Sequence, residues 1–396
     1  MAYKSGRKVK HIRKIYKKKK TPSQRAFSVL LFLIIVSALV FIGYSAGKPI
    51  KEFILNRRNS DDNYSSGWTP PETTTQTTQN TTEPEKPPVS DEGFVSLMLP
   101  LEALSDETAL ATALSQAKNN GYTSVSVTLK ADGGNIYYLS SNAYARDSSA
   151  IVGSLTASQI ASLIKSHGMT PIAEISVLKD HTSTRIFKEL SYLFADGNSM
   201  WIDNKLENGG KSWMSPFSES ARQYISDITA EIATSGFEII VASDIVFPPF
   251  RNSDLNYIGD LVKDSNRHTA LTSMAHVIQS KAYDSGARTL IQVRADETLK
   301  GTAEVYYPNE LSGIDFAVVL DYGSLNSDIT LKSGDVLSIK DLSIYEKTKT
   351  VLLKLNELSS PANVVPIIVK DSLSDSDLNN VIQALNDSGI DMYFVK

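Results

Sequence analysis

The sequence predicts a (β/α)8 barrel of the TIM type, preceded by one transmembrane helix and a disordered linker. Three observations predict this α/β organisation. Eight short apolar runs alternate with amphipathic helical patterns between Phe94 and Lys396. A run without any charge, Phe27–Gly47, follows a tail whose first 25 residues hold eleven Lys or Arg and no acid. Between the two lies a Thr/Pro/Glu-rich stretch almost free of apolar residues.

The elements follow in order. Residues 1–26 are a basic tail. Residues 27–47 are long enough to cross a bilayer, which takes roughly 20 apolar residues as a helix. Lysine and arginine stay on the cytoplasmic side. The N-terminus is therefore expected inside the cell, and everything after Lys48 outside, on a single-pass membrane protein. The competing reading is a cleaved signal peptide, with Ser45-Ala46-Gly47 as the small residues of a cleavage site. The apolar run exceeds the usual signal core of about 7–15 residues, which favours a retained anchor. Residues 48–92 cannot bury a core and are expected to be disordered. Residues 93–396 are expected to form the barrel.

Composition narrows the functions. Beyond residue 58 the chain carries 25 basic and 43 acidic residues, a net charge near −18. Such a face repels anionic polymers, and a short basic tail beside a membrane is a poor nucleic-acid site. There is no cysteine, so disulfides, thiol catalysis and thiolate metal sites are excluded. The five histidines (His11, His167, His181, His268 and His276) show no metal-ligand spacing. Neither a phosphate-binding glycine loop nor a G-x-S-x-G serine elbow is present. No metal or other cofactor is expected.

The strand candidates are Phe94–Leu99, Ser124–Lys130, Pro171–Val177, Glu238–Asp244, Thr289–Arg294, Phe316–Asp321, Val364–Lys370 and Met392–Lys396. The helix candidates are Glu107–Asn119, Ala157–His167, Ser218–Ser235, Ser265–Asp284, Ile339–Leu358 and Ser374–Asn386. Strands alternating with helices imply parallel βαβ units. Eight of them over about 300 residues imply one closed barrel, whose chemistry sits at the carboxyl ends of the strands. The gap from Leu178 to Phe237 is unusually long and carries Trp201 and Trp213, as an excursion over the barrel mouth would.

Period-two alternation sorts the faces. Val125, Val127 and Leu129 oppose Ser126, Thr128 and Lys130. Ala173, Ile175 and Val177 oppose Glu174 and Ser176. Ile291 and Val293 oppose Gln292 and Arg294. The polar faces point inward, placing Lys130, Glu174, Arg294 and Asp321 around the mouth. Buried charges need partners. The expected pairs are Lys130 with Glu174, and Arg294 with Asp321.

Four motifs share an order with a known family. They are Lys130-Ala131-Asp132-Gly133-Gly134-Asn135-Ile136-Tyr137, Glu174-Ile175-Ser176-Val177-Leu178-Lys179-Asp180, Trp213-Met214-Ser215-Pro216-Phe217-Ser218, and the stretch from Gly236-Phe237 to Ile245-Val246-Phe247-Pro248. Over roughly residues 94–250 the chain resembles the putative glycoside hydrolase family of bacterial surface proteins, barrels related to the α-amylase superfamily. The family's strand-end aspartate aligns with Ser243, and Asp244 stands one place later. Val246 and Glu174 replace two family arginines. The resemblance implies a barrel that acts on or binds a polysaccharide or oligosaccharide.

Glycoside hydrolysis takes two carboxyl groups. The catalytic candidates are Asp244, which ends the best-matched strand, Glu174 and Asp321. Lys179, Asp180 and His181 follow the third strand and could hydrogen-bond sugar hydroxyls, as could Lys130, Ser243 and Arg294. Trp201, Trp213 and Tyr138 could stack on sugar rings, with Asp203 assisting. Core packing and ion pairing are the alternative roles for each. At this level two functions stand side by side: a membrane-anchored extracellular glycoside hydrolase, and a non-catalytic glycan-binding or envelope-organising protein on a degenerate scaffold.

Overall fold

The computed structural model describes residues 93–396, apart from 260, 261, 303, 306–313 and 361. The tail, the apolar run 27–47 and the linker 48–92 lie outside the described residues. Among the described residues no helix is long and apolar enough to cross a membrane.

Eight parallel strands close a barrel: β1 (Val95–Met98), β2 (Ser124–Lys130), β3 (Thr170–Ser176), β4 (Ile239–Ser243), β5 (Arg288–Arg294), β6 (Asp315–Leu320), β9 (Val364–Ile368) and β10 (Tyr393–Val395), with β10 pairing back to β1. The remaining pair, β7 (Ile329–Thr330) and β8 (Val336–Leu337), is a small antiparallel hairpin between β6 and β9. The predicted strands are all present, each within a residue or two of its expected start.

Many of the helices begin where the chain offers a cap. They are α1 (Glu107–Asn119), α2 (Ala143–Asp147), α3 (Ala157–Ser166), α4 (His181–Ile186), α5 (Glu219–Thr234), α6 (Asn252–Ile258), α7 (Asp264–Asp284), α8 (Ala295–Lys300), α9 (Ile344–Ser359) and α10 (Asp375–Asp387). Asp106, Ser218 and Ser374 each accept a backbone N–H of the first turn. Thr156 with Gln159 and Ser343 with Glu346 form capping boxes. Each cap satisfies an otherwise orphaned donor, worth about 1 kcal/mol. The Ser343 cap explains why the predicted helix 339–358 starts at Ile344 instead.

Alternation divides the core in two. Val125, Val127, Leu129, Ala173, Ile175, Ile240 and Ile291 face the helices. Phe94, Ile172, Ile239, Val241, Leu290, Ala317, Val365, Ile367 and Phe394 fill the barrel. Burying each large apolar side chain contributes roughly 1.5–3 kcal/mol, and Phe94 meets Phe394 edge to face at 5.3 Å. Below this plug, at the amino ends of β5 and β6, Arg288 pairs with Asp315. Asn363 donates to the same carboxylate from its N–H at 2.9 Å and its amide at 3.0 Å. The lower end is thus sealed by apolar packing and an ion pair. The upper end is left to polar residues.

One irregularity shapes that upper end. The β2–β3 register shifts between Thr128 and Lys130, so that Lys130 lies opposite Ile175. A bulge of this kind re-aims a side chain.

Candidate active site

Above the plug, a cavity of about 730 Å³ opens at the carboxyl ends of β4, β5, β6 and β9. Its floor and apolar wall come from Phe247, Val293, Val319, Ile367 and Val369. Its polar groups include Lys179, Asp244, Arg294, Glu297, Glu304 and Asp321.

Asp244 is delivered there by its backbone. Simple alternation would turn it away from the barrel, because Ser243 is the residue in register with inward-facing Ser176. However, Asp244 adopts φ +56°, the left-handed region. Aspartate and asparagine tolerate that region better than most side chains. The turn brings the carboxylate back to the cavity. Ser176 Oγ donates to Asp244 Oδ2 at 2.7 Å, and Lys179 Nζ lies 2.8 Å from Oδ1. Ser243 Oγ adds a longer contact of 3.4 Å and also donates to the Ile175 carbonyl at 3.3 Å. The Asp244 side chain remains 21% exposed.

Across the cavity, Arg294 Nη2 donates to Asp321 Oδ2 at 3.1 Å, the pair expected from adjacent strands. Arg294 Nε also lies 3.4 Å from both Asp296 and Glu297. Glu297 sits on α8, directly after β5. Desolvation by the cavity walls and nearby Asp296 raise its pKa above the ordinary glutamate value, against Arg294, Lys179 and Lys300. Glu297 escapes sequence reasoning because α8 has six residues, too few to show a period.

Lys179 also reaches the excursion between β3 and α5. Its Nζ lies 5.9 Å from the centre of the half-buried Trp213 ring. Trp213 Nε1 donates to Asp203 Oδ2 at 3.0 Å, and Lys211 N–H donates to the other Asp203 oxygen at 2.7 Å. Asp203 therefore fixes the plane of the ring. His181 accepts from Ser212 N–H at 3.3 Å.

Several expected residues lie elsewhere. The Lys130–Glu174 pair does not form. The bulge turns Lys130 to Asp180, at 2.9 Å, and to the Ser176 carbonyl, at 2.8 Å. Both Lys130 and Asp180 are fully buried, and Asp180 also caps α4 through Ser183 N–H at 2.8 Å. They support the β3 loop from beneath and present nothing to a ligand. Gly134 passes so close that any Cβ there would strike Asp180 Oδ1.

Glu174 takes its hydrogen bond from Ser126 Oγ at 2.6 Å, inside the barrel and away from the cavity wall. Desolvation there raises its pKa above the ordinary value. Tyr138 is fully buried, its hydroxyl donating to Glu231 at 2.8 Å. Trp201 is 1% exposed, packed on Phe250 at 4.8 Å and edge-on to Tyr192 at 6.0 Å. Neither ring has a face for a sugar. Among the described residues no group of three or more His, Asp or Glu is placed to hold a metal ion.

Comparison with known proteins bears on the fold. Residues 96–291, from β1 into β5, match the family described as "Putative glycosyl hydrolase domain", bearing out the resemblance read from the motifs. No curated protein matches the chain in sequence. Among solved structures, the glycoside hydrolase domain of PgaB (BpsB) from Bordetella bronchiseptica superposes with a TM-score of 0.51. It is 13% identical, over 77% of this chain and 93% of that one. The catalytic domain of β-amylase from Paenibacillus polymyxa gives 0.50 at 13% identity, over 78% of this chain and 92% of that one. At such identities the likeness is one of fold. Residues 93–396 are a barrel, of which residues 96–291 match a glycosyl hydrolase domain.

Proposed function

We propose, from the match of residues 96–291 to a glycosyl hydrolase domain, that this protein is a membrane-anchored extracellular glycoside hydrolase acting on a cell-wall or surface polysaccharide. Asp244 is the nucleophile or charge stabiliser, and Glu297 is the proton donor. The observation carrying this reading is the contrast between two carboxyl groups lining one cavity. Asp244 is clasped by an ammonium and a hydroxyl. Glu297 is held above its ordinary pKa. A carboxyl whose surroundings favour its protonated form suits a proton donor, and a carboxylate clasped by an ammonium suits the charged partner. Trp213, 5.9 Å from Lys179 Nζ, offers an aromatic ring next to that lining residue. Anchoring rests on the uncharged run 27–47 after a basic tail.

A second reading has its own support. Asp244 and Asp321 are both in ion pairs, as in a mouth that binds a glycan without cleaving it. A screen of wall and capsular polysaccharides separates the two. The hydrolase reading expects new reducing ends from the wild type and none from Asp244→Asn. Binding without cleavage by the wild type supports the second reading. For the orientation, protease added to intact spheroplasts should remove the barrel and spare the tail; a protected barrel would refute it.

A further inference from the structure

The excursion that carries Trp213 is seated on a histidine. Ser212, the residue before Trp213, is 2% exposed. Its N–H points at His181 Nδ1 at 3.3 Å, and its Oγ lies 3.4 Å from the same atom. The Oγ also shares a hydrogen bond of 2.7 Å with Thr184 Oγ1. A backbone N–H can only donate, so Nδ1 must be the accepting nitrogen and the ring proton must sit on Nε2. A second proton on Nδ1 would set donor against donor at the backbone N–H and leave only the longer contact to Ser212 Oγ, at 3.4 Å, to accept it.

We propose that His181 is the positioning residue of the Trp213 wall: a neutral imidazole seats Ser212, and protonation of the ring releases it, so that mild acid loosens the aromatic side of the mouth. The charged groups around the ring are Arg185 on its own helix, Lys211 and Asp203 on the excursion, and Asp180 beside it in sequence. Desolvation first, then Arg185 and Lys211, hold the His181 pKa below its ordinary 6.5, while Asp180 and Asp203 pull the other way. The folded state thus favours the neutral ring. That preference is intact above pH 6.5 and is lost as pH falls through the lowered value. The displacement reaches the mouth because Trp213 follows Ser212 directly and its ring lies beside Lys179, which holds Asp244. The consequence for ligand binding rests on the glycan reading of the mouth; the coupling of His181 to Trp213 does not.

Fluorine NMR of the full-length chain labelled with 5-fluorotryptophan tests the coupling directly. The chain has three tryptophans, Trp68, Trp201 and Trp213; Trp213→Phe assigns its resonance. The Trp213 signal should titrate with a midpoint below 6.5, while the signal of core-packed Trp201 stays still. His181→Asn keeps an acceptor at the position of Nδ1 and removes the titration, so its Trp213 signal should be flat with pH. A Trp213 signal that ignores pH in the wild type, or still titrates in His181→Asn, would overturn the proposal. If the variant does not fold, the wild type alone decides. The His181 ring proton and the Trp213 fluorine must then share one midpoint, and two different midpoints reject the coupling. Calorimetry with chitohexaose as probe, at about pH 7.5 and 5, adds the functional arm. Affinity should fall about fivefold in the wild type, the worth of one aromatic contact, and hold steady in His181→Asn. No binding at either pH would count against this glycan as ligand and leave the fluorine result to decide the coupling.

Discussion

Lys179 Nζ lies 2.8 Å from Asp244 Oδ1 and, on its other side, 5.9 Å from the centre of the Trp213 ring. One ammonium thereby joins the carboxylate that follows β4 to the aromatic wall raised by the excursion after β3. The carboxylate and the aromatic ring thus share one cation, while Asp203 sets the plane of the ring.

Asp244→Asn should abolish hydrolysis while leaving the fold and glycan affinity nearly unchanged. Asparagine tolerates the left-handed backbone as well as aspartate does, and loss of a charge that serves the transition state lowers kcat far more than binding. By contrast, Asp244→Val, β-branched at φ +56°, should also destabilise the barrel, by about 1–2 kcal/mol. Urea unfolding alongside kinetics checks both. Hydrolysis at wild-type rate in Asp244→Asn would remove its catalytic role.

Glu297→Gln should reduce kcat by about 10²–10⁴-fold, the usual contribution of a general acid, and erase the alkaline limb of the pH–rate profile. The stability effect has a defined sign. A carboxyl whose folded pKa exceeds its unfolded value stabilises the fold below about pH 4.5, and that contribution is lost as pH rises through the raised value. The wild type should therefore lose stability relative to Glu297→Gln between about pH 4 and pH 8. The loss should be small, because Glu297 is 46% exposed. Parallel urea titrations at the two pH values read it out.

The two tryptophans of the excursion should separate cleanly. Trp201→Ala removes a ring from the core and should cost about 3–5 kcal/mol of stability. Trp213→Ala should weaken glycan binding by about 0.5–1.5 kcal/mol with a much smaller change in melting temperature. Equal effects of the two substitutions on binding, at equal stability, would contradict the assignment of Trp201 to the core.

Lys130→Met should cost about 3–5 kcal/mol, because it strands the buried Asp180 carboxylate. Combining it with Asp180→Asn should recover part of that loss, since asparagine still caps α4 and carries no charge. Denaturation of the single and double variants measures the recovery.

The barrel was legible in the sequence because short apolar strands alternate with amphipathic helices along residues 94–396. Ser124–Lys130 and Glu107–Asn119 could be bounded from pattern alone. Arg294 and Asp321 could be paired because alternation places both at the mouth on adjacent strands. Lys130 could not be paired correctly. The bulge after Thr128 flips its direction, and no residue there announces a bulge. Trp201 and Trp213 sit twelve places apart in one excursion, and only tertiary packing sends the first into the core and leaves the second beside Lys179. Glu297 was hidden by the brevity of its helix.

The left-handed residue at the end of β4 also bears on how such sites persist through sequence change. A carboxylate moved one place along a strand should end up on the opposite face, and a column-by-column comparison would score the position as lost. A single backbone rotation cancels that displacement. The carboxylate that Ser243 lacks is supplied to the cavity by Asp244. A motif search misses a frame-shifted acid of this kind, and its trace in this chain is Asp244, one residue beyond the strand end at φ +56°.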